Sequence, residues 1–146
     1  MKRILAAAIL AASPAMADDY ETMEVTGTVA EAADRLVAAI EEAGAMVVAR
    51  IDHQSNAASV GMELPAATKI IFGNPNLGTP VMQQDIRAAY HLPQMMLIYE
   101  DEDGQAHVMW QEPEKTFDDL DVDDDSDAVE SMEDALERLA GAAAGG

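Results

Sequence analysis

With 146 residues, 28 of them acidic against 8 basic, and a formal charge of −20 at neutral pH, the chain is long enough for one packed core and has a surface that repels nucleic acid and anionic lipid, which disfavours polyanion binding. The charge reads as a solvated surface suited to a saline milieu, one that would also attract cations or a basic partner. Cysteine is absent, so disulfides and thiol chemistry are excluded and stability has to come from packing.

In chain order, "MKR" is a positive start, "ILAAAILAA" an apolar run and "SPAMA" a small-x-small cleavage pattern. Residues 1–17 therefore read as a secretory signal peptide, cut between Ala17 and Asp18, and the mature chain as exported, into the periplasm of a bacterium. The apolar run is shorter than the roughly 20 residues that a bilayer span needs, and no later segment is long and apolar enough to span. Residues 18–25 read as a first strand. Thr28 with Glu31 makes a capping box, and Val29, Ala33, Leu36, Val37 and Ile40 recur at helical spacing up to Gly44, which predicts a helix over 29–43. A strand follows at 46–52, then a short helix ending at Gly61, then a strand at 68–72 rich in β-branched residues. A second long helix is expected to start at Thr79 as cap, with Pro80 at its first position and Val81, Met82, Ile86, Ala89 and Tyr90 on its inner face, stopping before Pro93. Two strands at 94–100 and 106–112 flank "DEDG", a hairpin signal. From Asp118 to Asp127 seven of ten residues are aspartate, which predicts a solvated acidic linker over 116–127 before a last amphipathic helix and frayed tail over 128–146. The order β-α-β-(α)-β-α-β-β-α indicates an α+β domain over 18–115, with about five mainly antiparallel strands packed by two or three helices.

The stretches "EAGAMVVARIDH", "AASVGMEL", "IIFGNPNLGTPVM" and "LPQMMLIYEDEDGQAHVMWQEP" occur in the order and spacing of a bacterial family known as domain of unknown function 302, and residues 20–115 resemble it. The resemblance implies a curved antiparallel sheet packed by helices, similar to the TATA-binding-protein-like architecture. It implies no activity, substrate or catalytic residue, because a shared fold does not carry function.

Several stretches invite a chemical reading. In "FGNPNLGTPVM", Gly73, Gly78 and Thr79 have the glycine spacing of a phosphate-cradling loop, but the lysine between the second glycine and the hydroxyl is missing and Pro75 removes a backbone N–H. The stretch instead reads as a strand-to-helix junction, in which Asn74-Pro75 turns, Gly78 admits an unusual backbone angle and Thr79 caps. Free N–H groups at that helix start would hold a small anion or a partner's carboxylate. Asp52-His53 ends a strand and has the residue types of a general base or metal ligand. If that strand end lies over the start of the next long helix, Asp52, His53, Asn74, Thr79 and Met82 line one small polar cleft. The methionines, with three histidines, have the softness copper(I) prefers but no clustered spacing, so Met46, Met95, Met96, Met109 and Met132 read as core filler. Asp119, Asp121, Asp123, Asp125, Asp127 and Glu130 fall at the six liganding positions of a calcium loop, with Asp124 where its sharp turn needs glycine.

The chain thus reads as an exported, non-enzymatic domain binding a small ligand or another protein, a second copy of itself included, with no resident cofactor. The first alternative is a protein binding calcium or another divalent cation through the acidic run, and the second is an enzyme with a cryptic site at Asp52-His53.

Overall fold

The computed structural model describes residues 19–146; the signal peptide read in residues 1–17 lies outside the described residues. Five strands, β1 (Tyr20–Glu24), β2 (Met46–Asp52), β3 (Ala67–Gly73), β4 (Gln94–Glu100) and β5 (Ala106–Gln111), form one sheet in the order β1-β5-β4-β3-β2, every neighbouring pair antiparallel. The α+β class and the five-stranded antiparallel sheet agree with the sequence expectation. From β2 to β5 the sheet is a meander. β1 instead joins the far edge beside β5, so helix α1 (Val29–Glu42) has to carry the chain from one edge of the sheet to the other.

Alternation decides which sheet face is covered. Ile70 and Phe72 of β3, Met96 and Ile98 of β4, and Val108 and Trp110 of β5 are buried on one face. They meet Leu36 and Ile40 of α1, and Leu136 and Leu139 of the last helix, α5 (Asp127–Ala144). Helix α1 starts and stops for local reasons. Thr28 accepts the Glu31 N–H at 3.2 Å while the Glu31 carboxylate accepts the Thr28 N–H at 2.8 Å. At the far end Gly44 takes a φ of +73°, and the Ala45 N–H reaches back to the Ile40 carbonyl, the left-handed ending for which glycine is suited.

The second long helix departs from expectation. Helix α3 (Pro75–Gln84) begins at Pro75 rather than Pro80, with Asn74 rather than Thr79 as its cap, so Pro80 sits inside it. Two cap-proline pairs compete here, Asn74-Pro75 and Thr79-Pro80, and the first wins because the strand ends at Gly73 and the Asn74 side chain accepts the Asn76 N–H at 3.0 Å. The helix also stops sooner. Asp85 is extended (φ −142°, ψ 115°) and caps a separate 3₁₀ turn, Ile86–Tyr90. That rotates the expected inner face outward: Ile86 is 75% and Tyr90 90% exposed, and Ala88 is buried instead. Gly78 is helical, not left-handed as expected. A short helix α2 (His53–Ser59) does end near Gly61, though it starts directly after β2.

The acidic run is a packed part of the molecule rather than a solvated linker. A short helix α4 (Pro113–Thr116) precedes it, and Phe117, Val122 and Val129 enter a second core with Val81, Ala88 and Met132. The aspartates stay outside while the apolar residues between them point in. The Asp121 N–H donates to Asp85 Oδ2 at 3.1 Å and the Asp123 N–H to Gln84 Oε1 at 2.8 Å. Asp85 also accepts the Arg87 guanidinium at 2.6 Å and the Arg87 N–H at 2.9 Å. These Arg87 bonds, side chain first, hold its carboxyl well below the usual carboxylate range.

Two consequences are measurable. Replacing Phe117 by alanine should cost about 3–5 kcal/mol in urea unfolding, the penalty for a buried aromatic, and should speed amide exchange over 117–126 ahead of the sheet. For Asp85 the native carboxyl titrates below its unfolded value of about 3.9, so its stabilisation is complete above that pH and is lost on acidification through the native value. Asp85→Asn should therefore melt below wild type at pH 7, with the gap closing progressively below about pH 4; a gap independent of pH would sink the assignment.

Candidate functional site

The β3–α3 junction lies at one wall of an open groove of ≈ 780 Å³. The opposite wall is α5, and one end is closed by the last turn of α1 and the first residues of β2. Its floor is apolar: Phe72 from β3, Leu77 and Met82 from α3, Leu92 before β4, and Met132 and Leu136 from α5. The pairing register of β2 with β3 shifts between Val47 and Ala49. Val48, at the irregularity, is 58% exposed and Met46 is 62% exposed, both lining the groove. Gln94 also lines it, with its amide donating to the Met132 sulfur at 2.8 Å, a weak acceptor.

Here the two glycines of the junction show their use. A Cβ on Gly73 would sit 3.3 Å from Pro93 Cβ, and one on Gly78 would sit 3.4 Å from Leu92 Cδ1. They permit close approach of the 92–93 segment to the junction rather than an unusual backbone angle.

Of the five residues expected to share a cleft, the structure brings together three. Asn74, Thr79 and Met82 line the groove; Asp52 and His53 do not. The sheet register separates them, because Met46 lies opposite Gly73 whereas Asp52, six residues on, lies opposite Thr68. Asp52 moreover has a structural task. Its carboxylate accepts the Ser55 N–H at 2.9 Å and the Ser55 hydroxyl at 2.7 Å, capping α2. Those bonds lower its carboxyl from the ordinary value. His53 is the first residue of that helix and is half-buried.

The anion expectation fails on donors. Pro75 has no N–H, and the N–H groups of Asn76, Leu77 and Gly78 all bond to Asn74. The calcium expectation meets a similar difficulty. Asp119, Asp121, Asp123, Asp125, Asp127 and Glu130 lie along turns and the first turn of α5, and among the described residues no group of three or more metal-ligating side chains comes together. Methionine divides: Met96 and Met132 are core, as expected, whereas Met46 lines the groove and Met95 is half exposed.

One constellation has no local sequence signal. His107 Nε2 lies 2.7 Å from Asp101 Oδ2 across the hairpin, and the imidazole stacks on Tyr99 at 5.5 Å between ring centroids. The Asp101 carboxyl is lowered first by that bond and then by the Gln105 and Asp103 N–H groups. Tyr99 and His107 are cross-strand partners, so only the register of β4 with β5 could reveal them. Among the described residues, no hydroxyl bonds to this pair.

The sheet face away from α1 and α5 carries Ile51, Lys69, Leu97 and Met109 in one cross-strand row, with Ile71 and Met95 beside it. Its carboxylates lie at the margin: Glu24 on edge strand β1, opposite His107, and Asp101 in the hairpin.

Comparison with known proteins gives the same architecture. The crystal structure of an uncharacterized conserved DUF302 protein from Bacillus stearothermophilus superimposes with a TM-score of 0.77 at 16% identity, over 87% of this chain and 99% of that one; at that identity it establishes the fold alone. Among curated proteins, one named fluoride-specific ion channel FluC 1 from Brucella suis biovar 1 (strain 1330) is 36% identical over 92 residues, 63% of this chain and 36% of that protein. Its counterpart from Brucella abortus biovar 1 (strain 9-941) matches equally, over 34% of its length. The chain spans about a third of the length of these curated relatives. Among the described residues no helix is long and apolar enough to cross a membrane. Residues 21–144, the acidic run and last helix included, match the family described as domain of unknown function DUF302, and the chain belongs to that family.

Proposed function

We propose that this domain is exported and works as a binding module that takes an elongated apolar small molecule into the groove between α3 and α5. The observation that carries the proposal is the exposure of Met46 and Val48, 62% and 58%, at the mouth of a groove already floored by Phe72, Leu77 and Leu136. A groove of this size and composition is the usual form of a small-molecule site, and water is a poor occupant of it. The polar residues that sequence reading offered for chemistry support binding rather than catalysis, since Asp52 and Asn74 are engaged in capping. Export is supported by the pattern of residues 1–17. Fluoride, the ion in the curated relatives' names, is strongly hydrated and gains nothing from apolar walls.

The neutral probe N-phenyl-1-naphthylamine should bind the purified chain with a rise in fluorescence. Thr79→Trp and Ala135→Trp, each filling the groove from one wall, should remove the signal without lowering the melting temperature. Undiminished binding in both variants would overturn the proposal.

A second reading, binding of a second copy of the chain, rests on the uncovered sheet face. Ile51, Leu97 and Met109, with Ile71 and Met95 beside them, give that face the apolar centre that a contact between copies needs. Sedimentation should then show a dimer that Leu97→Glu converts to monomer; a wild-type monomer at high concentration would dismiss it.

A further inference from the structure

Six basic side chains are described, and four of them have polar partners, whereas Lys69 and Arg138 have none among the described residues. Arg35 donates to backbone carbonyls, Arg50 pairs with Asp34, Arg87 with Asp85, and Lys115 with Glu114. Lys69 lies in the cross-strand row of the uncovered sheet face. The sixth, Arg138, lines the groove from α5, and among the described residues it makes no ion pair and no side-chain hydrogen bond. It declines two local offers. Asp134 is four residues earlier on the same helix, the spacing at which opposite charges pair, and Glu42 lines the same groove from the end of α1. Glu42 is likewise unpaired among the described residues. An apolar groove is thus rimmed by one cation and one anion that do not satisfy each other.

We infer that the groove's ligand is a single-chain zwitterionic amphiphile, its hydrocarbon chain along the floor and its anionic and cationic head groups facing Arg138 and Glu42. The inference rests on the groove being a binding site and adds what binds there. A head group bearing only an anion would leave Glu42 opposing it in a chain of formal charge −20, and one bearing only a cation would face Arg138. A head group carrying both charges answers both, its anion accepting charge-assisted hydrogen bonds from Arg138 and its cation drawn to Glu42 by Coulombic attraction. The walls favour a flexible chain over a rigid ring system, because Met46, Met82 and Met132 line the groove and methionine adapts to irregular apolar shapes. A groove of ≈ 780 Å³ suits one such ligand rather than the surface of a bilayer.

The test is displacement of N-phenyl-1-naphthylamine by three monomeric amphiphiles of equal chain length: a lysophosphatidylcholine, a fatty acid and an alkyl maltoside. The lysophosphatidylcholine should displace the probe at about three- to fivefold lower concentration than the fatty acid, which lacks the cation that faces Glu42, and at lower concentration still than the maltoside, which lacks both charges. Glu42→Gln should remove the advantage over the fatty acid and Arg138→Gln should shrink the advantage over the maltoside, both at exposed positions, while leaving probe affinity and melting temperature unchanged. Equal displacement by all three, or an advantage that survives both substitutions, would overturn the zwitterion while leaving the groove intact as a site. Failure of the probe itself to bind would instead remove the groove. Co-sedimentation of the protein with diacyl phosphatidylcholine vesicles would overturn the free single-chain ligand in favour of a membrane surface.

Discussion

The position of α5 is the constraint on which the rest of the molecule depends, and one guanidinium fixes it. Arg35, on the outer part of α1, donates from Nε and Nη2 to the Ala143 carbonyl at 3.1 and 2.7 Å and from Nη2 to the Thr26 carbonyl at 2.7 Å. The last carbonyls of a helix lack intrahelical partners and carry its negative end, so a cation there is favourable twice over. Beneath this clamp Ala140 and Ala143 of α5 are buried in one core with Ala32 and Ala33 of α1. Small residues on both helices allow the two to lie close over the sheet. The same helix feeds both cores, with Leu136 and Leu139 in the one against the sheet and Val129 and Met132 in the one under the acidic run. A helix with two such faces cannot shift without disturbing both, and with them the groove, which Met132, Leu136 and Leu139 also line.

The acidic run shows which of two effects wins when they compete. Repulsion among exposed aspartates is weakened by water and salt over about 10 Å, whereas burial of Phe117 and Val122 is not. Packing decides the conformation, and the charges are left at the surface where they cost least. Where a carboxylate is drawn inward the conflict becomes visible. Glu133 is half-buried, and burial first, with Glu112, Glu114 and Glu130 nearby, raises its carboxyl from the ordinary value against the opposing bond from the Glu114 backbone.

Features set by neighbours within a turn or two were legible in the sequence. The Thr28–Glu31 box, the Gly44 ending, the Gly104 hairpin and the strand at 46–52 need only local backbone preference and alternation, and the structure has all of them. Two proline-bearing helix starts five residues apart are each locally acceptable, and only the end of β3 decides between them. The roles of Gly73 and Gly78 are set by Leu92 and Pro93, fourteen or more residues away, a distance no local pattern covers. The same holds for the groove. Asn74, Thr79 and Met82 belong to one short stretch and were found together, but separating them from Asp52 and His53 required the strand register. The apolar teeth of the acidic run were visible as letters and lost among aspartates, because their partners Val81 and Ala88 lie far back in the chain.

The placement of β1 at the outer edge bears on how the chain reaches this structure. Contacts within the meander from β2 to β5 join neighbouring segments, and their loops close at small entropic expense. Tyr20 instead meets Gln111, and the Thr26 N–H donates to the Ala144 carbonyl at 3.0 Å. Such distant pairings are the slow ones. The two ends of the described residues are thus joined by the contacts of longest sequence separation, and α5 makes some of them. A chain that has formed its meander but not yet docked α5 lacks one wall of the groove, so the groove takes shape only with the completed fold.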